Sequence, residues 1–153
     1  MQAGLTLRTD AAAAILKGSE KSAAAITRLK AHSSPSGLKI DKEADFAFAA
    51  IDVGQRLIAA GKPAEAEEFF LEAEKSLDKA VKKTADTEAH DKAMFLAKLA
   101  MIRRTYLNKP DQAKTDIEQA IALQPDDGEL KKSRERLDQN RGDRFKDKAN
   151  GKG

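Results

Sequence analysis

The apolar residues of this chain recur at helical spacing over most of its length. From Pro63 to about Lys83 they follow positions i, i+3, i+4 and i+7, while glutamates and lysines fill the opposite side. No useful stretch alternates apolar and polar residues with the period of two that a half-buried strand requires. The pattern therefore predicts an all-α chain of about six helices.

Turn and cap residues divide the sequence into segments. Thr9–Asp10 is an expected N-cap for the first helix, which has an alternative break near Gly18–Ser19. Asp126, with Glu129 three residues later, has the spacing of a capping box. We expect a single domain over 1–140, followed by a basic flexible tail (141–153). The expected segments of the domain are an N-terminal helix (10–32), two helix pairs (42–83 and 88–124) and a capping helix (126–140).

The first helix of each expected pair has two apolar faces, whereas an ordinary surface helix has one. In the first pair, one stripe contains Phe46, Ala50, Val53 and Leu57, and the other contains Phe48, Ile51 and Ile58. In the second pair, a stripe of alanines lies beside a stripe of Phe95, Leu99, Ile102 and Tyr106. Such helices are packed between neighbours or line a groove.

Two segments share a turn pattern at an interval of 47 residues: GKPAEAEEFFLEAEKSL from Gly61 and NKPDQAKTDIEQAIALQ from Asn108. Glycine and asparagine are the residues best able to adopt the left-handed conformation that ends a helix. Pro63 and Pro110 follow, and proline at the first helical position sacrifices no hydrogen bond. Each segment therefore predicts a helix end, a short turn and a new helix.

The same two segments place small residues where two helices would cross. Ala66 and Ala113 are expected to let the second helix of each pair approach the first closely. A bulky residue follows four positions later and another alanine seven positions later: Phe70 and Ala73, then Ile117 and Ala120.

This pattern resembles the tetratricopeptide repeat, a helix–turn–helix unit of about 34 residues. On that template the repeats span about 47–80 and 94–127, and Gly54 occupies the small-residue position of the first helix. The chain departs from the family in having Met101 at the second such position, no tryptophan, and a longer interval that also suits HEAT-type solenoids. The resemblance implies a short α-solenoid of antiparallel helix hairpins.

The resemblance also implies a function, because proteins of this family bind a peptide or a helix of a partner in a concave groove. By repeat position, the expected groove residues are Phe48, Ile51, Gln55, Ile58, Phe95, Lys98, Ile102, Tyr106, Lys132 and Arg136. An apolar first half and a basic second half favour a partner segment with apolar anchors and an acidic or carboxylate end. The chaperone-binding clamp of the family is not expected, because Gln55 and Ile102 stand where asparagine is needed.

Two alternatives to an open groove remain at this stage. The N-terminal helix could cover Phe48, Ile51 and Ile58, which would then belong to the core. The apolar faces could instead be buried in a homodimer, which would make the chain a structural, self-associating subunit.

Other chemistry has little support in the sequence. There is no cysteine, no glycine-rich phosphate loop and no nucleophile motif, and the carboxylates beside His90 point to different faces of a helix. We therefore expect no catalytic residues, no cofactor and no metal site. No segment is long and apolar enough to span a membrane.

The positive charge of the chain is concentrated at its end. Residues 131–153 contain nine lysines and arginines against four acidic residues, a surplus of five, so the net charge of +3 leaves −2 for residues 1–130. Nucleic acid is therefore not the expected partner, although a basic tail that binds RNA or lipid is a third hypothesis. The sequence leaves the compartment unknown: cytoplasmic, or periplasmic or exported if QAG after Met1 remains from a removed leader.

Overall fold

The computed structural model describes residues 2–18, 21–32 and 42–136. These residues form helices joined by turns, without a strand among them, so the predicted all-α class is confirmed. The helices are α1 (Gln2–Leu16), α2 (Ser22–His32), α3 (Lys42–Ala59), α4 (Pro63–Lys83), a 3₁₀ helix (Asp86–Glu88), α5 (Ala89–Thr105) and α6 (Pro110–Leu123). Residues 128–136 are also helical and are called α7.

The chain divides into two compact units, Met1–Lys83 and Thr84–Gly153. In the first unit, α3 and α4 form an antiparallel hairpin, α1 packs against α3, and α2 packs against α1, α3 and α4. In the second unit, α5 and α6 form the hairpin and the 3₁₀ helix packs against α5. The single domain over 1–140 stays a prediction, and the tail over 141–153 lies outside the described residues.

Both hairpin turns form as the sequence predicts. Gly61 has φ of 79° and Asn108 has φ of 55°, so each adopts the left-handed conformation that ends a helix. In the first turn the Lys62 N–H donates to the Leu57 carbonyl at 2.8 Å, which satisfies a carbonyl at the end of α3. The next helices begin at proline, at Pro63 and Pro110.

The expected alanine crossings are buried in both hairpins. Ala66 and Ala113 have no exposed surface, and neither do Ala73 and Ala120. The bulky residues between them, Phe70 and Ile117, are each 1% exposed. Small and large side chains therefore alternate along the buried face of α4 and of α6, as the paired segments predict.

Two predicted helix starts are wrong. Asp10 lies inside α1, and the single helix over 10–32 is two helices, because Gly18 adopts φ of 73° and ends α1. The N-cap of α7 is Asp127, not Asp126: its Oδ1 accepts the Glu129 N–H at 3.0 Å, two residues along. The break near Gly18 is confirmed.

Candidate functional site

Four of the predicted groove residues lie on one side of α3. Phe48, Ile51, Gln55 and Ile58 follow each other at intervals of three or four residues, so they share a face of the helix. Ile51 is 6% exposed and Phe48 is half-buried, whereas Gln55 is exposed and Ile58 keeps 42% of its surface. Ile51 is thus a core residue, and the open part of this face consists of Gln55, Ile58 and the exposed part of Phe48.

Helix α1 lies beside this face. Arg8 of α1 reaches Asp52 of α3, with 3.6 Å between Nη1 and Oδ2, and Arg56 Nε donates to the other oxygen of Asp52 at 3.1 Å. The two arginines therefore hold one carboxylate at the boundary between α1 and α3. The N-terminal helix thus packs along α3, as in the alternative in which it covers Phe48, Ile51 and Ile58. The packing is less complete than that alternative expects, because Ile58 is left uncovered.

The second unit carries the remaining predicted groove residues. Phe95 is 7% exposed and Ile102 has no exposed surface, so neither side chain is open to a partner. Their apolar character is explained by the core of this unit. The accessible members are Lys98, half-buried Tyr106, and Lys132 and Arg136 on α7.

A buried ion pair in the second unit was not foreseen. Arg103 Nη1 of α5 donates to Asp116 Oδ2 of α6 at 2.7 Å, and the two side chains are 14% and 9% exposed. Asp116 occupies the apolar face of α6 between Ala113 and Ala120, and a carboxylate in that stripe was the signal available in the sequence. The pair links the two helices of the hairpin at a fixed register.

A polar cleft in the first unit was also missed. It has a volume of about 540 Å³ and lies where α2 ends and α3 begins, against α4. Its described lining residues are Lys30, Ala31, Lys42, Glu43, Phe46, Glu72, Lys75, Ser76 and Lys79. Three helices contribute these side chains. Helical spacing groups the residues of each helix, such as Glu72, Lys75 and Lys79 on α4, but it does not bring the three helices together.

Glu72 is the carboxylate of this cleft that contacts two of its lysines. Lys30 Nζ donates to Glu72 Oε2 at 2.9 Å, and Lys75 Nζ lies 3.7 Å from Oε1. The hydrogen bond from Lys30 lowers the pKa of Glu72, aided by the charges of Lys30 and Lys75, although partial burial opposes the shift. The ammonium of Lys30 also stands 5.3 Å from the centre of the Phe46 ring, a cation–π distance.

The described part of the chain contains neither a cluster of metal-ligand side chains nor a helix that could span a membrane. No three His, Cys, Asp or Glu side chains there are grouped as a metal would require. None of the helices described is both long and apolar enough to cross a bilayer.

No protein-family model matches the chain, and no curated protein is significantly similar to it. The resemblance to the tetratricopeptide repeat therefore stays a prediction that depends on the residues quoted above. What the structure establishes is an all-helical chain with antiparallel hairpins.

Proposed function

We propose that this chain is a non-catalytic scaffold of the tetratricopeptide-like, short α-solenoid kind, which binds a peptide or a helix of a partner protein. The proposal is carried by the division of the α3–α4 hairpin into buried crossing residues and exposed groove positions. Gly54, Ala66 and Phe70 are buried where the family has its tight crossing. Gln55 and Ile58 are exposed where the family contacts its partners.

The accessible residues of each unit favour a different kind of contact with a partner, apolar in the first unit and acidic in the second. In the first unit, Ile58 and the exposed part of Phe48 offer apolar surface beside the amide of Gln55. In the second unit, Lys98, Lys132 and Arg136 are exposed cations. Apolar contact supplies affinity, while opposite charge steers encounter and selects among partners.

The same exposed apolar residues support an alternative function, self-association as a structural subunit. Leu16 and Ile58 in the first unit are 41% and 42% exposed. A second copy of the chain that covered them would remove this surface from water. The two functions differ in the molecule that covers the exposed face of α3 in solution: a partner protein in the first and a second copy of the chain in the other. An experiment can distinguish these two.

The test compares Ile58→Asp with a matched control, Leu71→Asp. Both leucine-sized side chains are exposed to a similar extent, 42% and 38%, but Leu71 lies among the charged residues of α4. We expect affinity capture with the wild-type chain to retain a protein that Ile58→Asp loses and Leu71→Asp keeps. Equal retention by both variants would contradict binding on α3.

Sedimentation velocity of the same three proteins separates the alternative function. A wild-type chain that stays monomeric at micromolar concentration leaves α3 free for a partner. A stable dimer that Ile58→Asp dissociates, and Leu71→Asp does not, would instead assign the face to self-association.

A further inference from the structure

The cleft between the end of α2, the start of α3 and the middle of α4 has an excess of positive charge. Among its described lining residues, four lysines stand against two glutamates, a surplus of two. Lys30 and Lys75 both contact Glu72, so their charges are partly balanced. Among the described residues, no carboxylate forms an ion pair with Lys42 or Lys79, so these two lysines carry the surplus charge of the described lining.

The shape of the cleft suits a chain segment better than an enclosed small molecule. Small-molecule pockets have a comparable volume, about 300–1,000 Å³, but are mostly apolar and bury most of the ligand. Among the described lining residues the only aromatic ring is that of Phe46, which is 3% exposed and lies under the Lys30 ammonium. Lys30 and Lys75 keep 51% and 71% of their side-chain surface, so the rim of the cleft is open to water.

The lining also favours separate carboxylates over a phosphate group. Arginine, which binds the oxygens of phosphate or carboxylate in pairs, is absent from the described lining residues, so an anion there would be held by single contacts from lysines. The N-terminus of α3 borders the cleft, but Glu43 lies in its first turn and would repel a dianion held there. Lysines act as individual point charges, which suits carboxylates spread along a peptide.

We propose that this cleft binds an acidic segment of a protein partner, with carboxylates held by Lys42 and Lys79. The inference rests on the proposed function, because it names the partner's chemistry and adds a second contact surface to the face of α3. Lys30 and Glu72 act as positioning residues, since their ion pair fixes the wall between α2 and α4.

The experiment uses the full chain and a fluorescently labelled hexaglutamate peptide as the probe, followed by anisotropy. The variant Lys42→Gln/Lys79→Gln removes both of these charges, and we expect it to weaken binding about tenfold, because two exposed ion pairs with the probe are lost and each is individually weak. The matched control is Lys21→Gln/Lys62→Gln. Both of its residues are exposed and outside the cleft, so it has the same net charge and should bind as the wild type does.

Three results would overturn the inference. The wild type fails to bind hexaglutamate, or the control double variant loses as much affinity as the cleft variant, which would indicate a general charge effect. The third is that inorganic tripolyphosphate depends on Lys42 and Lys79 while hexaglutamate does not, which would assign the cleft to phosphate. Unchanged thermal melts of both variants establish that folding is not the cause.

Failure of the inference is distinguishable from failure of the proposed function. If only the cleft inference is wrong, partner capture survives Lys42→Gln/Lys79→Gln and is still lost in Ile58→Asp. If the scaffold function is wrong, no protein is captured, yet hexaglutamate binding still depends on the two lysines.

Discussion

The ring of Phe70 in α4 lies directly against the backbone of Gly54 in α3. A Cβ added at residue 54 would come within 2.7 Å of two ring atoms, Cε1 and Cζ, which is shorter than real Cβ contacts. The ring is 1% exposed, so it cannot move aside into solvent. The absence of a side chain at residue 54 therefore sets how closely α3 and α4 approach.

Gly54→Ala is expected to destabilise the protein although alanine is the better helix former. The change gains about 1 kcal/mol of helix propensity, but it forces a methyl group into the Phe70 ring, and overpacking costs about 1–3 kcal/mol. The free energy of unfolding from urea titration should fall by about 1 kcal/mol, the middle of the range of about 0–2 kcal/mol by which the second effect exceeds the first.

Gly128→Ala is the matched control for this prediction. A Cβ at Gly128 meets nothing within 4 Å, so the same substitution near the start of α7 should leave stability unchanged or raise it. Replacing the ring with a smaller side chain, in Gly54→Ala/Phe70→Leu, should recover part of the stability lost in Gly54→Ala. If Gly54→Ala is as stable as the wild type, residue 54 does not limit the approach of the helices.

Enlarging either buried alanine is expected to separate a hairpin. Ala66→Leu and Ala113→Leu each add three carbon atoms at a position with no exposed surface, and each should cost roughly 1–3 kcal/mol. The controls are Ala64→Leu on α4 and Ala122→Leu on α6, where the alanine is exposed. If the buried and the exposed substitutions lowered the melting temperature equally, the prediction that the helices cross closely at Ala66 and Ala113 would be contradicted.

The hairpins could be predicted from sequence because their causes are local. Gly61 and Asn108 adopt left-handed conformations for reasons of backbone sterics, which act within one residue. The burial of Ala66 and Ala113 follows from helical spacing once the turn is placed. The predicted N-cap of α7 was wrong by one residue, because Asp126 and Asp127 are equally able to cap a helix. The packing of Leu130, which is buried, selects the residue at which α7 begins.

The candidate surfaces could not be predicted in the same way, because burial of a second helix face depends on distant segments. Ile51, Phe95 and Ile102 have the sequence pattern of a groove, yet they are core residues. Their spacing is identical in a helix that lines a groove and in one that is covered. The basic cleft was missed for the same reason, because Lys30 and Lys79 come from helices that pack only in the folded chain.

Removing the carboxylate of the buried ion pair is expected to destabilise the second unit strongly. Asp116→Ala takes away the acceptor that lies 2.7 Å from Arg103 Nη1, while the guanidinium stays largely buried. Breaking a buried pair from one side costs about 3–5 kcal/mol, and water reaching the 14% exposed arginine places this case at the lower end. Calorimetric melting would measure the loss.

Replacing both partners tests whether the cost arises from the charge left behind. Arg103→Met/Asp116→Leu should be less destabilised than the two single changes predict together, because no buried charge remains. Lys82→Ala on α4 is the surface reference: its partner Asp78 is 41% exposed, and the expected loss is at most about 1 kcal/mol. If Lys82→Ala lowered stability as much as Asp116→Ala does, burial of the ion pair would not explain the cost of breaking it.

The ion pair between Lys30 and Glu72 should make stability depend on pH in a defined direction. Lys30 lowers the pKa of Glu72 in the folded protein below the ordinary value of 4.5, so the unfolded chain binds the proton more readily. Stability therefore rises with pH through this window. The contribution is complete above the unfolded-state value and is lost as pH falls through the lower, folded-state value.

Glu72→Gln and Lys30→Met isolate this contribution, because the first removes the negative charge of the pair and the second removes the donor of the hydrogen bond at 2.9 Å. Near neutral pH both variants should be less stable than the wild type in urea titrations. The difference should vanish as pH falls through the folded-state pKa of Glu72, since protonation already removes the ion pair from the wild type. Lys62→Met, an exposed lysine outside the cleft, should show no such convergence. A deficit that is constant over this range would mean that packing of the Lys30 chain against Phe46, and not its charge, stabilises the wall of the cleft.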